Sequence, residues 1–226
     1  MTLRYRCLIL DHDDTAVDGT ARVHYPAHLK AMALLRPGVT PVDLDEWFRK
    51  NFEPGILSFL KDEIGMSEAE LKLEYDVWRE FTTRGRPQFY HGFLDAIAEY
   101  KGRGGRFVVV SHSESDIVAG HYRDAGRVPP LVPDLVFGWE AGEDRRKPHP
   151  YPVEETLRRF ALRPDEVLVV DDLKPGVVMA EAAGVPVAAA GWAHAIPEIR
   201  AWMTRHSVAY LDTVEAFRSF ILQPES

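Results

Sequence analysis

The feature that most constrains this chain is a series of short apolar runs that do not alternate with polar residues. They are Cys7 to Leu10, Phe107 to Val110, Leu135 to Phe137, Val167 to Val170 and Val185 to Ala189. A strand with one wet face alternates; a strand covered on both faces reads as a continuous run of Val, Ile and Leu. Segments with helical spacing follow these runs, at Asp116 to Asp124, Tyr151 to Phe160 and Val177 to Ala183. Gly126 and Gly184 stand where helix C-caps belong. Strand and helix in alternation predict a parallel sheet in a doubly wound, Rossmann-like α/β fold.

One interval breaks this rhythm. Between the first and second runs, helical spacing continues without a convincing strand. Trp47, Phe48, Phe52, Ile56, Leu57, Leu60 and Ile64 recur at helical intervals, as do Leu71, Leu73, Tyr75, Trp78 and Phe81. Such a stretch is far longer than a connection needs to be. It predicts a helical cap domain, 21–89, inserted into an α/β core made of 1–20 and 90–226.

Composition narrows the function. Apolar residues make up 46% and charged residues 27% of the 226, as in a globular protein. The net charge of −8 disfavours a broad attraction to nucleic acid. No stretch approaches the roughly 20 apolar residues of a membrane span. The single cysteine, Cys7, excludes an internal disulfide and thiolate-rich metal sites, and its apolar neighbours predict a small core residue. The N-terminus has no signal-peptide pattern, and a reducing, cytoplasmic compartment is expected.

Ligands of open α/β sheets bind beyond the carboxyl ends of the strands. The first run is followed by Asp11, Asp13, Asp14 and Thr15, the second by Ser111, His112 and Ser113, and the fourth by Asp171 and Asp172. Lys147 lies between the third run and the next helix. Converging carboxylates repel one another and call for a cation. Oxygen ligands in this number suit Mg²⁺ together with a substrate phosphate. A hydroxyl and an ammonium at the same edge can hold phosphoryl oxygens, and an aspartate is a competent nucleophile toward phosphorus.

With these residues in view, the chain resembles the haloacid dehalogenase-like hydrolase superfamily. ILDHDDT resembles its first motif, D-x-D-x-T after an apolar strand; VVVSHS the second, KPHP the third and VLVVDDLKPG the fourth, in order and at strand ends. AEAAGVPV resembles the helix, glycine and strand that follow. The likeness runs over roughly Arg4 to Gly191.

The resemblance implies a Mg²⁺-dependent phosphatase with a cap domain. Asp11 would be the nucleophile and a metal ligand. Asp13 would be the general acid and then the base, its backbone carbonyl also binding metal. Thr15 would orient the loop. Ser111 and Lys147 would grip the phosphoryl group, and Asp172, helped by Asp171, would bind metal. The implied partner is a small phosphorylated metabolite, acted on by a monomer or homodimer.

Three positions depart from the pattern. Asp14 and Asp171 each stand where many members have glycine, and Gly176 stands where many have a further acid. His112, beside Ser111, is a candidate substrate-binding group, with a hydrogen-bonding or solvated role as the alternative; His149 has the same alternatives. A structural role is expected of His194. Lys50, Asn51 and Arg79 are polar groups of the inserted stretch that could meet a substrate.

Asp13 argues against carbon–halogen cleavage, since a halide leaving group needs no proton. A phosphomutase, a signalling receiver domain and an idle scaffold remain alternatives; the chain's length, its insertion and the order of its motifs disfavour the receiver.

Overall fold

The computed structural model describes residues 3–224. The chain forms two compact units: Met1–Asp18 with Phe89–Ser226, and Gly19–Gln88.

The larger unit is built on a six-stranded, wholly parallel sheet of order β3-β2-β1-β4-β5-β6. The strands are β1 (Cys7–Leu10), β2 (Arg106–Val110), β3 (Leu135–Phe137), β4 (Val167–Asp171), β5 (Val187–Ala190) and β6 (Ala209–Leu211). Every residue of β1, β4 and β5 is buried, which is why these strands read as unbroken apolar runs.

Two differences from the sequence expectation have local causes. The fifth strand begins at Val187 rather than Val185, because Val185 closes the preceding helix. That helix ends in a Schellman motif: Val185 N–H donates to the Ala180 carbonyl at 3.0 Å and Gly184 N–H to Glu181 at 3.1 Å, with Gly184 at φ 68°. The sixth strand was not anticipated. It is three residues long at the sheet edge, where Ala209 and Tyr210 are half-buried and Leu211 is buried.

Among the described residues, six α-helices belong to this unit: α5 (Phe93–Gly102), α6 (Ser115–Arg123), α7 (Tyr151–Phe160), α8 (Lys174–Ala182), α9 (Pro197–His206) and α10 (Val214–Ile221). The Phe93 ring of α5 stacks on Phe217 of α10, with centroids 5.4 Å apart. Both join a core with Leu8, Leu10, Ile97, Tyr100, Phe107 and Leu168. Cys7 is fully buried, and burial pushes its thiol up to about 12, so it is an inert core residue.

The smaller unit is helical: α1 (Tyr25–Leu35), α2 (Leu44–Phe52), the short α3 (Ile56–Ser58) and α4 (Glu68–Arg84). Its core gathers Met32, Trp47, Phe59, Leu60 and Met66. Asp43 caps α2 through Glu46 N–H at 2.8 Å, and Ser67 with Glu70 forms a capping box at α4. Leu57 and Leu73, at helical spacing in the sequence, instead lie exposed. Among the described residues, no helix is long and apolar enough to cross a membrane.

Candidate active site

Strand register brings the chemistry together. Leu10 pairs with Val109 on one side and Val170 on the other, so the chain leaves β1, β2 and β4 at nearly the same level. Strand order reverses at β1, with β2 and β3 on one side and β4 to β6 on the other, which is where a doubly wound sheet opens a crevice. Asp11 N–H still donates to the Val170 carbonyl at 2.9 Å, which holds the first acidic residue against β4.

Beyond Asp11 the chain turns sharply. The His12 carbonyl accepts from Ala16 N–H at 2.8 Å and Val17 N–H at 3.0 Å, and Asp14 N–H donates to the Val17 carbonyl at 2.6 Å. Asp14 takes φ 68°, a left-handed conformation that aspartate tolerates better than most residues. The turn places Asp11, Asp14 and Thr15 in the interior. The Thr15 carbonyl accepts from Trp192 Nε1–H at 3.1 Å, and its hydroxyl is buried with no hydrogen-bond partner among the described residues.

Lys147 is the electrostatic centre. It is 6% exposed, and its Nζ donates to Asp11 Oδ1 at 2.5 Å and to Asp171 Oδ2 at 2.8 Å. Burial works against its charge, but Asp11 and Asp171 together outweigh burial and hold it above the usual lysine range. Asp11 is pushed up to about 7, first by burial, with Lys147 opposing and Asp171 and Asp13 adding repulsion. Asp172 is raised well above the usual carboxylate range by burial and then by Asp11, Asp171 and Asp14.

The loop bearing Lys147 is tied down by His112, which donates from Nε2 to the Lys147 carbonyl at 2.8 Å. A carbonyl only accepts, so Nε2 carries the proton. Burial first, then Lys147, lowers this imidazole to about 4, so it is neutral. Trp139 meets His112 edge-on at 5.8 Å, and the Arg146 guanidinium lies 3.5 Å over the Trp139 ring.

Asp13 is held by two hydroxyls. Ser113 Oγ donates to Asp13 Oδ2 at 2.6 Å and Ser111 Oγ to the same oxygen at 3.4 Å, while Ser111 Oγ accepts from Ser113 N–H at 2.9 Å. Ser113 stood in the polar run after β2 without an assigned role. The signal was its spacing, since residues two apart on extended backbone share a side. His194 also gains a place: Nε2 lies 3.8 Å from Asp172 Oδ2.

Asp11, Asp171 and Asp172 each offer an oxygen within 4.8 Å of the others. Asp11 Oδ2 and Asp172 Oδ2 are buried and accept no hydrogen bond among the described residues. Buried, unsatisfied carboxylate oxygens of like charge are costly alone and fit a hard divalent cation. The expected residues thus fall into connected groups. Asp11, Lys147, Asp171 and Asp172 form one; Asp13, Ser111 and Ser113 form another; His112 joins the backbone of Lys147, and Thr15 sits in the turn.

The model of the haloacid dehalogenase-like hydrolases matches residues 5–184, most of the chain and all of these groups. The chain belongs to the haloacid dehalogenase-like hydrolase family. No curated protein matches the chain in sequence. Among solved structures, a conserved haloacid dehalogenase-like protein of unknown function from Agrobacterium tumefaciens is 21% identical, with TM-score 0.74 over 96% of this chain and 97% of that one. A family hydrolase from Deinococcus radiodurans is 20% identical, with TM-score 0.69 over 98% and 99%. The CbbY protein of Rhodobacter sphaeroides is 19% identical, with TM-score 0.67 over 93% and 95%. At this identity the likeness establishes the family fold and leaves the reaction to the site.

Proposed function

We propose that the protein is a phosphatase of small phosphorylated metabolites that works through a phosphorylated Asp11. The carrying observation is the buried Lys147 bound to both Asp11 and Asp171, with Asp13 held apart on the hydroxyls of Ser111 and Ser113. This separates a nucleophile from a proton donor within one short turn.

In the first step the Asp11 carboxylate attacks phosphorus and the bond to the ester oxygen breaks. Asp13 gives its proton to the departing oxygen. In the second step Asp13 takes a proton from water as that water attacks the phosphorus, releasing phosphate and restoring Asp11. Lys147 fixes one Asp11 oxygen and balances charge on the transferring group, with Ser111 as a further donor. Asp11, Asp171 and Asp172, with the Asp13 backbone carbonyl, would hold Mg²⁺, which supplies further neutralisation of phosphoryl charge when bound. Members of the fold support a phosphate-bearing ligand: the Deinococcus structure has bound phosphate and sodium, and the CbbY structure is a complex with xylulose-(1,5)bisphosphate.

The test is phosphate release from a panel of phosphorylated metabolites, with Mg²⁺ and with chelator, by wild type and Asp11→Asn. Metal-dependent release lost in the variant supports the proposal. Equal release from both proteins rejects it.

A further inference from the structure

Gly176 is unusual for its position. It occupies the first turn of α8 and is buried, and its φ is one that any residue adopts, so a turn does not require glycine there. Glycine costs about 1 kcal/mol relative to alanine in a helix. The compensation is spatial. A Cβ placed on Gly176 would lie 2.1 Å from Asp171 Oδ2, 2.2 Å from its Cγ and 2.4 Å from its Cβ. The three nearest atoms all belong to one side chain. Asp171 therefore lies directly on the bare backbone of Gly176.

That side chain has little freedom to move aside. Asp171 Oδ1 accepts from Leu173 N–H at 2.9 Å, at the N-terminus of α8. Its other oxygen accepts from Lys147 at 2.8 Å. Each oxygen accepts a hydrogen bond that fixes the carboxylate's orientation, and the residue is 2% exposed. An added methyl at 176 must break one of these bonds or push α8 off the sheet.

We propose that Gly176 is a positioning residue of the active site: by lacking a side chain it reserves the space in which Asp171 reaches Lys147. Positions 171 and 176 then act as one unit that accommodates a single carboxylate. A Cβ at 176 would lie 2.1 Å from the present Asp171 Oδ2, so an aspartate grown from 176 with glycine at 171 starts beside the space that the Asp171 carboxylate now fills against Lys147.

The test is a double-mutant cycle. Unfolding by urea and kcat/KM for the best phosphate ester are measured for wild type, Gly176→Ala, Asp171→Gly, the double variant Asp171→Gly with Gly176→Ala, and the exchange Asp171→Gly with Gly176→Asp. Gly176→Ala alone is expected to lower kcat/KM by about 100-fold or more through loss of the Lys147 geometry. In the Asp171→Gly background the same alanine should no longer destabilise the fold, and should change kcat/KM by no more than about twofold. The exchange should recover at least about tenfold in kcat/KM over Asp171→Gly.

Equal cost of the alanine in both backgrounds would make Gly176 a helix–sheet packing residue and overturn the proposal. So would an exchange variant no better than Asp171→Gly. If Gly176→Ala alone fails to fold, a folded double variant still supports the coupling and an unfolded one rejects it. The rate arm rests on the phosphatase reading, whereas the unfolding arm does not. A coupled urea cycle without turnover in wild type would sink the function and leave the positioning role standing.

Discussion

The two units use their interiors differently. Among the described residues, every buried Asp, Glu and Lys belongs to the sheet-based unit, including Asp11, Asp14, Lys147, Asp171 and Asp172. The polar side chains that the helical unit buries fully, among the described residues, are Thr20, Thr82 and His28, and partial burial pushes Glu74 up to about 7. His28 sits against Trp47 at 4.1 Å and Phe59 at 6.2 Å, with neither ring nitrogen hydrogen-bonded, and burial lowers it to about 4. One interior pairs its buried lysine with two carboxylates; the other discharges the imidazole of His28. Buried charge is costly, so a fold that concentrates it at the ends of its strands is maintaining a site rather than gaining stability.

The contrast is broken most severely at Lys147. Lys147→Met leaves Asp11 and Asp171 without their shared cation. Loss of stability by about 3–5 kcal/mol in chelator is expected, since removing one partner strands a buried charge. Activity should fall by about 1,000-fold. Urea unfolding and phosphate release check both. A cost no larger than that of a surface substitution would mean that the two interiors do not differ as described.

Much of this contrast was legible before any coordinates. Strands buried on both faces announce themselves as apolar runs, so β1, β2 and β4, and the acidic residues that follow β1 and β4, can be read directly; half-buried β3 is legible as a short apolar run as well. The edge strand β6 lies within Val208 to Leu211, a short apolar run that stands outside the strand-and-helix series read from the sequence. Within the unit Gly19–Gln88, α1 buries Ala27, Ala31 and Met32, small or flexible residues with a weak periodic signal. Partners that meet only through space stayed hidden: the His112 hydrogen bond to the Lys147 carbonyl, the Ser113 grip on Asp13, and the fit of Asp171 onto Gly176. Each joins segments whose separation in sequence says nothing of their meeting.

The next expected effect tests the discharged interior. The folded protein keeps His28 neutral down to about 4, while the unfolded chain protonates it near 6.5. Between these values the unfolded state binds more protons, so stability falls as pH drops from about 6.5 toward 4 and levels off below. The loss from this residue is at most about 3 kcal/mol. His28→Leu should flatten that segment of the stability–pH curve, and an unchanged slope would place the protonation elsewhere.

Ser113→Ala sharpens the description of the charged interior. It removes the shorter of the two hydroxyl bonds to Asp13, and a fall in kcat of about 10- to 150-fold is expected, at about 1.5–3 kcal/mol for a hydrogen bond to a charged group. Ser113→Thr should restore most of it; steady-state kinetics distinguish the two. The smallest effect lies in the helical unit: Ser67→Ala removes half of the capping box and should cost about 1 kcal/mol in urea with no change in kcat.

The central claim is that Asp11 becomes phosphorylated during turnover. Rapid quenching with substrate present, reduction by borohydride and peptide mass spectrometry test it directly, because borohydride converts an acyl phosphate to the alcohol and so aspartate to homoserine. The account predicts homoserine at position 11 alone, and none in Asp11→Asn. Turnover without homoserine at position 11, or with homoserine at another aspartate, would contradict it.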